Sequence, residues 1–189
     1  MRETDTKQYQ HFTVAQLKEA LVQAATIVDS LNHPIDRGIA ESVAVLRLLG
    51  INTFSSCWGH ADRLTGGPYV MFKSSEAKDL EPKLQAINDP LDPKFKRLRA
   101  KLVRANLRER AKLLPLLEDF YEGRPTPFGQ RLIIEGIGVE GSRLKVQNIE
   151  LMAVDRGGRR QILSAAQAEM RAFTEFLKDK ALTPERLAA

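Results

Sequence analysis

The chain has 189 residues, of which 43% are hydrophobic and 28% charged, with a net charge of +5. That composition excludes a largely disordered chain, and no apolar run approaches the roughly 18 residues of a membrane helix. A single cysteine excludes an internal disulfide, and residues 1–10 are polar without an apolar signal core, so a cytoplasmic protein is expected.

Residues 1–10 read as a flexible tail ahead of one domain, 11–189. A helix is predicted from Thr13. Its hydroxyl can cap the first turn, Gln16 can return the bond, and Phe12 can pack on Leu17 as a hydrophobic staple. Leu17, Leu21, Ala24, Ala25, Val28 and Leu31 recur at helical spacing and predict a buried stripe. Asn32-His33-Pro34 ends that helix. A second is predicted from Asp36 as N-cap, burying Ile39, Val43, Leu46 and Leu49 and stopping at Gly50. The short connection predicts an antiparallel helix pair.

Beyond Gly50 the pattern changes. Residues 51–56 and 69–73 read as strands joined by a long loop, 57–68, with a turn at Gly66-Gly67-Pro68. A loop of that length between strands suits binding better than a tight reversal. Residues 75–88 predict a short helix capped by Ser75. A long helix is predicted from Lys94, with Phe95, Leu98, Leu102, Ala105, Leu113 and Leu117 on its apolar side. Pro115 is expected to end or kink it. Residues 123–129 read as a loop. Strands at 131–137 and 143–149 form a hairpin about Glu140-Gly141. Arg156 to Arg160 reads as an exposed loop. The last helix is predicted from Ser164, with Gln167 completing a capping box and Met170, Phe173, Phe176 and Leu177 buried. These elements do not alternate strictly. They predict an α+β fold, a mostly antiparallel sheet of about four strands packed with helices, one of them long and basic.

The segment richest in chemistry is Ser55-Ser56-Cys57-Trp58-Gly59-His60, where a strand runs out into a turn. Gly59 opens backbone conformations closed to other residues, and successive N–H groups there can cradle an anion. In a binding reading, Ser55, Ser56, Cys57, Gly59, His60 and Arg63 contact a small molecule or anion. In a catalytic reading, Cys57 is a thiolate nucleophile and His60 its base or acid, oriented by Asp62 or Asp36. In a metal reading, Cys57 and His60 are two ligands completed by His33 or Asp62. One C-x-x-H pair without a second pair is thin ground, so no metal is assigned and the cofactor stays unknown. A purely structural reading buries Cys57, lets Trp58 cover the core edge and bonds His60 to a loop carbonyl.

The second feature is the basic stretch from Lys94 to Lys112, with nine Lys or Arg against one acid, Glu109, a segment charge of +8 that leaves −3 on the rest. Lys94, Arg97, Lys101, Arg104 and Arg108 recur at three and four, share one helical face, and could track the phosphates of a nucleic acid. The alternative is a solvated helix face. Tyr121 and Arg124 could reach a neighbouring cleft, but helix-end packing is the better reading. Glu135, Glu140 and Glu150 lie in or beside strands with no sign of two acids poised for hydrolysis.

Pro34-Ile35-Asp36, Gly50-Ile51-Asn52-Thr53, Ser56-Cys57-Trp58-Gly59-His60, Asp62-Arg63 and Pro68-Tyr69-Val70 together resemble an uncharacterised bacterial family with an S-C-x-G-H signature. The similarity extends to Phe120-Tyr121 and Arg131-Leu132-Ile133. That family often carries an acid where this chain has Trp58. The run Thr53 to Gly59 also resembles the T-x-S-C-S-G-R segment of the wybutosine-synthesis methyltransferase family, with His60 in place of its arginine. That second resemblance implies S-adenosylmethionine and tRNA as partners.

Overall fold

The computed structural model describes residues 11–28, 33–62, 66–147 and 154–182. The predicted tail, 1–10, lies outside them. Helix α1 spans Val14–Thr26, and its start is the predicted capping box: Thr13 Oγ1 accepts the Gln16 N–H at 3.2 Å while Gln16 Oε1 accepts the Thr13 N–H at 2.8 Å. Phe12 and Leu17 are both buried in the main core. The Phe12 N–H donates to the Ala181 carbonyl at 3.0 Å, which ties the start of the described chain to the end of the last helix.

The expected α1 stripe runs too far. The helix stops at Thr26, Ala25 is exposed, and Val28 is 51% exposed in an isolated bridge to Pro34. Leu31 lies outside the described residues. Helix α2, Ala40–Leu48, packs on α1 and buries Val43 and Leu46 as expected, with Ile39 fully buried before its first turn. Gly50 follows at φ 75°, the left-handed conformation of a helix stop. The predicted start at Asp36 is wrong. Ile39 occupies the N-cap position without a side-chain bond, because the Asp36 carboxylate is engaged elsewhere.

Four strands form one antiparallel sheet in the order β1-β2-β4-β3, with β1 Thr53–Cys57, β2 Tyr69–Phe72, β3 Leu132–Gly136 and β4 Ser142–Val146. Val70, Phe72, Leu144, Val146, Leu132 and Ile134 are its buried hydrophobic residues. Arg143, Lys145 and Glu135 sit on the opposite face, joined by ion pairs of 2.8 Å (Arg143–Glu135) and 3.2 Å (Lys145–Glu135). The β3–β4 hairpin turns at Gly141 as the sequence predicts. Its φ of 109°, and the Phe72 carbonyl packed where a Cβ would stand, leave room for glycine alone.

Between β2 and β3 the chain makes α3, Ala77–Gln85, and α4, Pro93–Tyr121. The hydroxyl at the start of α3 is that of Ser74, which accepts the Glu76 N–H at 3.3 Å, not that of Ser75. Leu80, Leu84 and Leu102 form a small satellite core with Phe95 and Leu98 against it. Pro115 does not end α4, which continues to Tyr121. The lost donor is offset because Leu113, Leu116, Leu117 and Phe120 on either side are buried in the main core, each stabilising by roughly 1.5–3 kcal/mol. Two polar groups of α4 also turn inward. Glu109, 5% exposed, accepts the Asn52 N–H at 2.8 Å, and Asn106 accepts the Ser74 N–H at 3.0 Å.

The expected loop at Arg156–Arg160 and helix start at Ser164 are overturned by α5, Arg156–Ala181. Asp155 caps it, its Oδ1 accepting the Gly158 N–H at 2.7 Å. That bond and the burial of Leu163, Ala166 and Met170 further along together outweigh the poor helix propensity of Gly157-Gly158, and Ser164 falls inside the helix. Met170, Phe173 and Leu177 then pack into the core as predicted, with Phe176 partly buried beside them. Among the described residues no helix is long and apolar enough to cross a membrane.

Candidate functional site

Strand β1 carries a one-residue irregularity: Thr53 lies opposite Phe72, yet Ser55 lies opposite Met71. A bulge of this kind shifts the side chains beyond it to the other face. Ser56 comes to lie opposite the buried Val70, while Cys57 lies opposite the half-buried Tyr69 and escapes the core face. The strand then ends in a turn at Gly59, φ 83°. A Cβ on Gly59 would meet Leu163 Cδ1 at 2.7 Å and the Gly67 backbone at 2.9 Å. Only glycine permits this turn against α5, as its residue type suggested.

The turn delivers His60 beside Asp36, with His60 Nε2 3.4 Å from Asp36 Oδ2. The same Oδ2 accepts the Trp58 N–H at 2.9 Å, which holds the carboxylate in place. The Gly59 N–H donates to Cys57 Sγ at 3.3 Å. One ligand atom from each of Asp36, Cys57 and His60 lies within 4.8 Å of the other two, and all three residues are half-buried. Trp58 braces the group. Its ring lies against Gly38, where a Cβ would fall 2.5 Å from the indole. The Arg171 guanidinium sits 5.2 Å above the ring, and Gln167 Nε2 donates to the Trp58 carbonyl at 3.1 Å. Trp58 therefore covers the core edge, while the residues on either side of it carry the donors.

Mutual distances decide what this group can do. In a relay of the Cys–His–Asp type the imidazole ring stands between its partners, which puts sulfur and carboxylate oxygen roughly 7–8 Å apart. The upper limit of 4.8 Å rules that arrangement out for the structure as it stands. Three donors converging on a common point are different. Ligand atoms at 2.0–2.3 Å from a tetrahedral ion lie about 3.3–3.8 Å from one another. The Nε2–Oδ2 distance of 3.4 Å is already such an edge.

Of the two acids expected beside His60, the structure uses Asp36, while Asp62 is exposed. His33 is not in the group. With Ser55 and Ser56 it lines a cavity of about 20 Å³ that also touches Arg47 and Thr53. That space suits one water and no organic ligand. Arg63 lies outside the described residues. Lys94, Arg97, Lys101, Arg104 and Arg108 are all exposed on α4, with Arg108 ion-paired to Glu76.

A second polar group, not anticipated as a unit, gathers around Glu169. Tyr121 Oη donates to Glu169 Oε1 at 2.8 Å and accepts the Leu132 N–H at 2.6 Å, and Arg124 Nη2 lies 2.9 Å from Glu169 Oε2. Burial, and secondarily the neighbouring carboxylate, push the Tyr121 phenol well above its ordinary value, so it stays a neutral donor. The available signal was an acid interrupting the apolar stripe of α5 between Ala166 and Phe173.

No family model, curated protein or solved structure matches the chain.

Proposed function

We propose that the protein binds a zinc-type divalent cation through the Asp36 carboxylate, the Cys57 thiolate and a His60 ring nitrogen. The convergence of these three donors within 4.8 Å carries the reading. Thiolate, imidazole and carboxylate together suit zinc better than the oxygen-preferring magnesium or calcium. Outer contacts favour it too. The Trp58 N–H orients the Asp36 carboxylate and the Gly59 N–H points at the sulfur, the kind of support that fixes metal ligands.

Three protein ligands leave a fourth tetrahedral position for water or a small anion. The small ligand read from the Ser55–His60 segment would bind there, on the metal, because the cavity lined by Ser55 and Ser56 is too small for an organic molecule. A water in that position would have its pKa lowered by the ion, which is the chemistry of hydrolytic zinc sites.

The test is titration of the metal-free protein with zinc and with cobalt(II). One equivalent should bind, the cobalt form should show tetrahedral visible bands with a thiolate charge-transfer band, and zinc should shield Cys57 from iodoacetamide. Absence of stoichiometric binding, or binding unchanged in Cys57→Ala, would defeat the proposal.

A further inference from the structure

From Pro93 to Arg104, α4 carries Lys94, Lys96, Arg97, Arg99, Lys101 and Arg104, all exposed, and no acid. The only acid between Lys94 and Lys112, Glu109, is turned inward to the Asn52 backbone and Lys112. Among the described residues, Arg108 pairs with Glu76 and Lys112 with Glu109, whereas no ion pair engages Lys94, Arg97, Lys101 or Arg104. Those four recur at intervals of three and four, so they form one row about 15 Å long on one side of the helix.

Local stability does not account for this row. Like charges three and four apart repel, and cations in a first helical turn oppose the macrodipole. Asp92 at the N-cap is the one acid that favours the helix start. A row that weakens its own helix gains a rationale from a polyanion laid along it.

We infer that this face of α4 binds the phosphate backbone of a nucleic acid duplex without reading its sequence. A straight row of cations matches a repeating phosphate chain. Phe95 packs against the α3–α4 cluster, which leaves the row without an aromatic to stack on unpaired bases. Most of the apolar side of α4 is covered, by Leu102 in the satellite core and by Leu113, Leu116, Leu117 and Phe120 in the main one, while Leu107 and Leu114 stay 54% and 38% exposed. Two exposed leucines are too narrow an apolar stripe to hold the helix in a bilayer.

The test is the affinity of the whole chain for a labelled DNA duplex of about 20 base pairs across a salt series. Four phosphate contacts predict a slope of log affinity against log salt near −3.6, about −0.9 per contact. Lys101→Glu with Arg104→Glu should weaken binding at least about tenfold at fixed salt, while Lys18→Glu, on the exposed part of α1, should leave it unchanged. If the double reversal unfolds the chain, Arg97→Gln with Lys101→Gln replaces it, with a loss in the same direction. Cys57→Ala should keep duplex binding, which separates this surface from the metal site. The inference is overturned by no binding at low salt, by a salt-independent affinity, by a double variant that binds normally, or by tighter association with anionic vesicles than with duplex.

Discussion

Two polar groups in this molecule each gather side chains from distant parts of the chain, and they differ in what is left over. Around Glu169, both carboxylate oxygens are used, one by Tyr121 and one by Arg124, and the acid is only 11% exposed. Around Asp36, one oxygen faces both the Trp58 N–H and His60, and His60 and Asp36 remain 35% and 34% exposed. A network that uses both carboxylate oxygens, and leaves only the buried Arg124 Nε without a hydrogen-bond partner, welds α4 to α5 and the β3 start. An open group, held from behind by a braced tryptophan and with its donors facing one another, has the form of a ligand site. The contrast teaches that perturbation alone does not mark function: the strongly shifted group, Tyr121, belongs to the structural network.

The sharpest way to break this comparison is to remove a donor. Cys57→Ala or His60→Ala should lower zinc affinity on the order of a thousandfold, about 4 kcal/mol, since outer contacts alone are worth about 10–100-fold. Stability of the metal-free fold should change by less than about 1 kcal/mol, because these side chains are half-exposed. Competition with a chromogenic chelator and urea melts measure the two effects. Glu169→Ala should do the reverse. Unpairing Arg124 and Tyr121 should cost about 3 kcal/mol in urea unfolding and leave zinc affinity unaltered.

Gly38→Ala should disturb both properties at once. The added methyl displaces the Trp58 ring, costs about 2 kcal/mol, and loosens the turn whose N–H holds Asp36. A destabilised variant with unchanged zinc affinity would show that Trp58 does not support the site. Metal affinity should also fall as pH drops below neutrality, because a thiolate and a neutral imidazole must both give way to protons. Flat affinity between pH 8 and 5, measured by calorimetry, would point away from Cys57 and His60 as ligands.

The smallest effect is expected on the sheet. Burial raises the Glu135 carboxyl, but hydrogen bonds and charge from Lys145 and Arg143 outweigh it and hold the group below its ordinary 4.5. A folded value below the unfolded one means that its contribution is present above pH 4.5 and is lost as pH falls through the folded value. Glu135→Gln should therefore remove at most about 1 kcal/mol at neutral pH and nothing in strong acid, since the pair is solvent-screened. Denaturant melts at both pH values check this.

Much of the fold was legible before any coordinates. Thr13 and Gln16 named the start of α1, Gly50 named the end of α2, and Glu140-Gly141 named the β3–β4 reversal. The failures have a shared cause. Pro115 and the Gly157-Gly158 pair are helix breakers by local preference, yet core packing in one case and an Asp155 cap with core packing in the other overrode it. Cys57 and His60 were legible as neighbours on one turn. Asp36 was visible only as one candidate acid among two, and its local setting suggested a helix cap instead.

By itself the sequence determined what depends on residues a few positions apart: caps, turns, the helical stripe of α5 and the alternating strands. Only the tertiary structure chose the partners. It brought Asp36 to a turn 22 positions away, used a strand bulge to take Cys57 off the core face, and set Glu169 of α5 against Tyr121 and Arg124 at the end of α4. Backbone preference acts over one helical turn, whereas side chains far apart in the chain meet only where packing of the whole core brings their elements together.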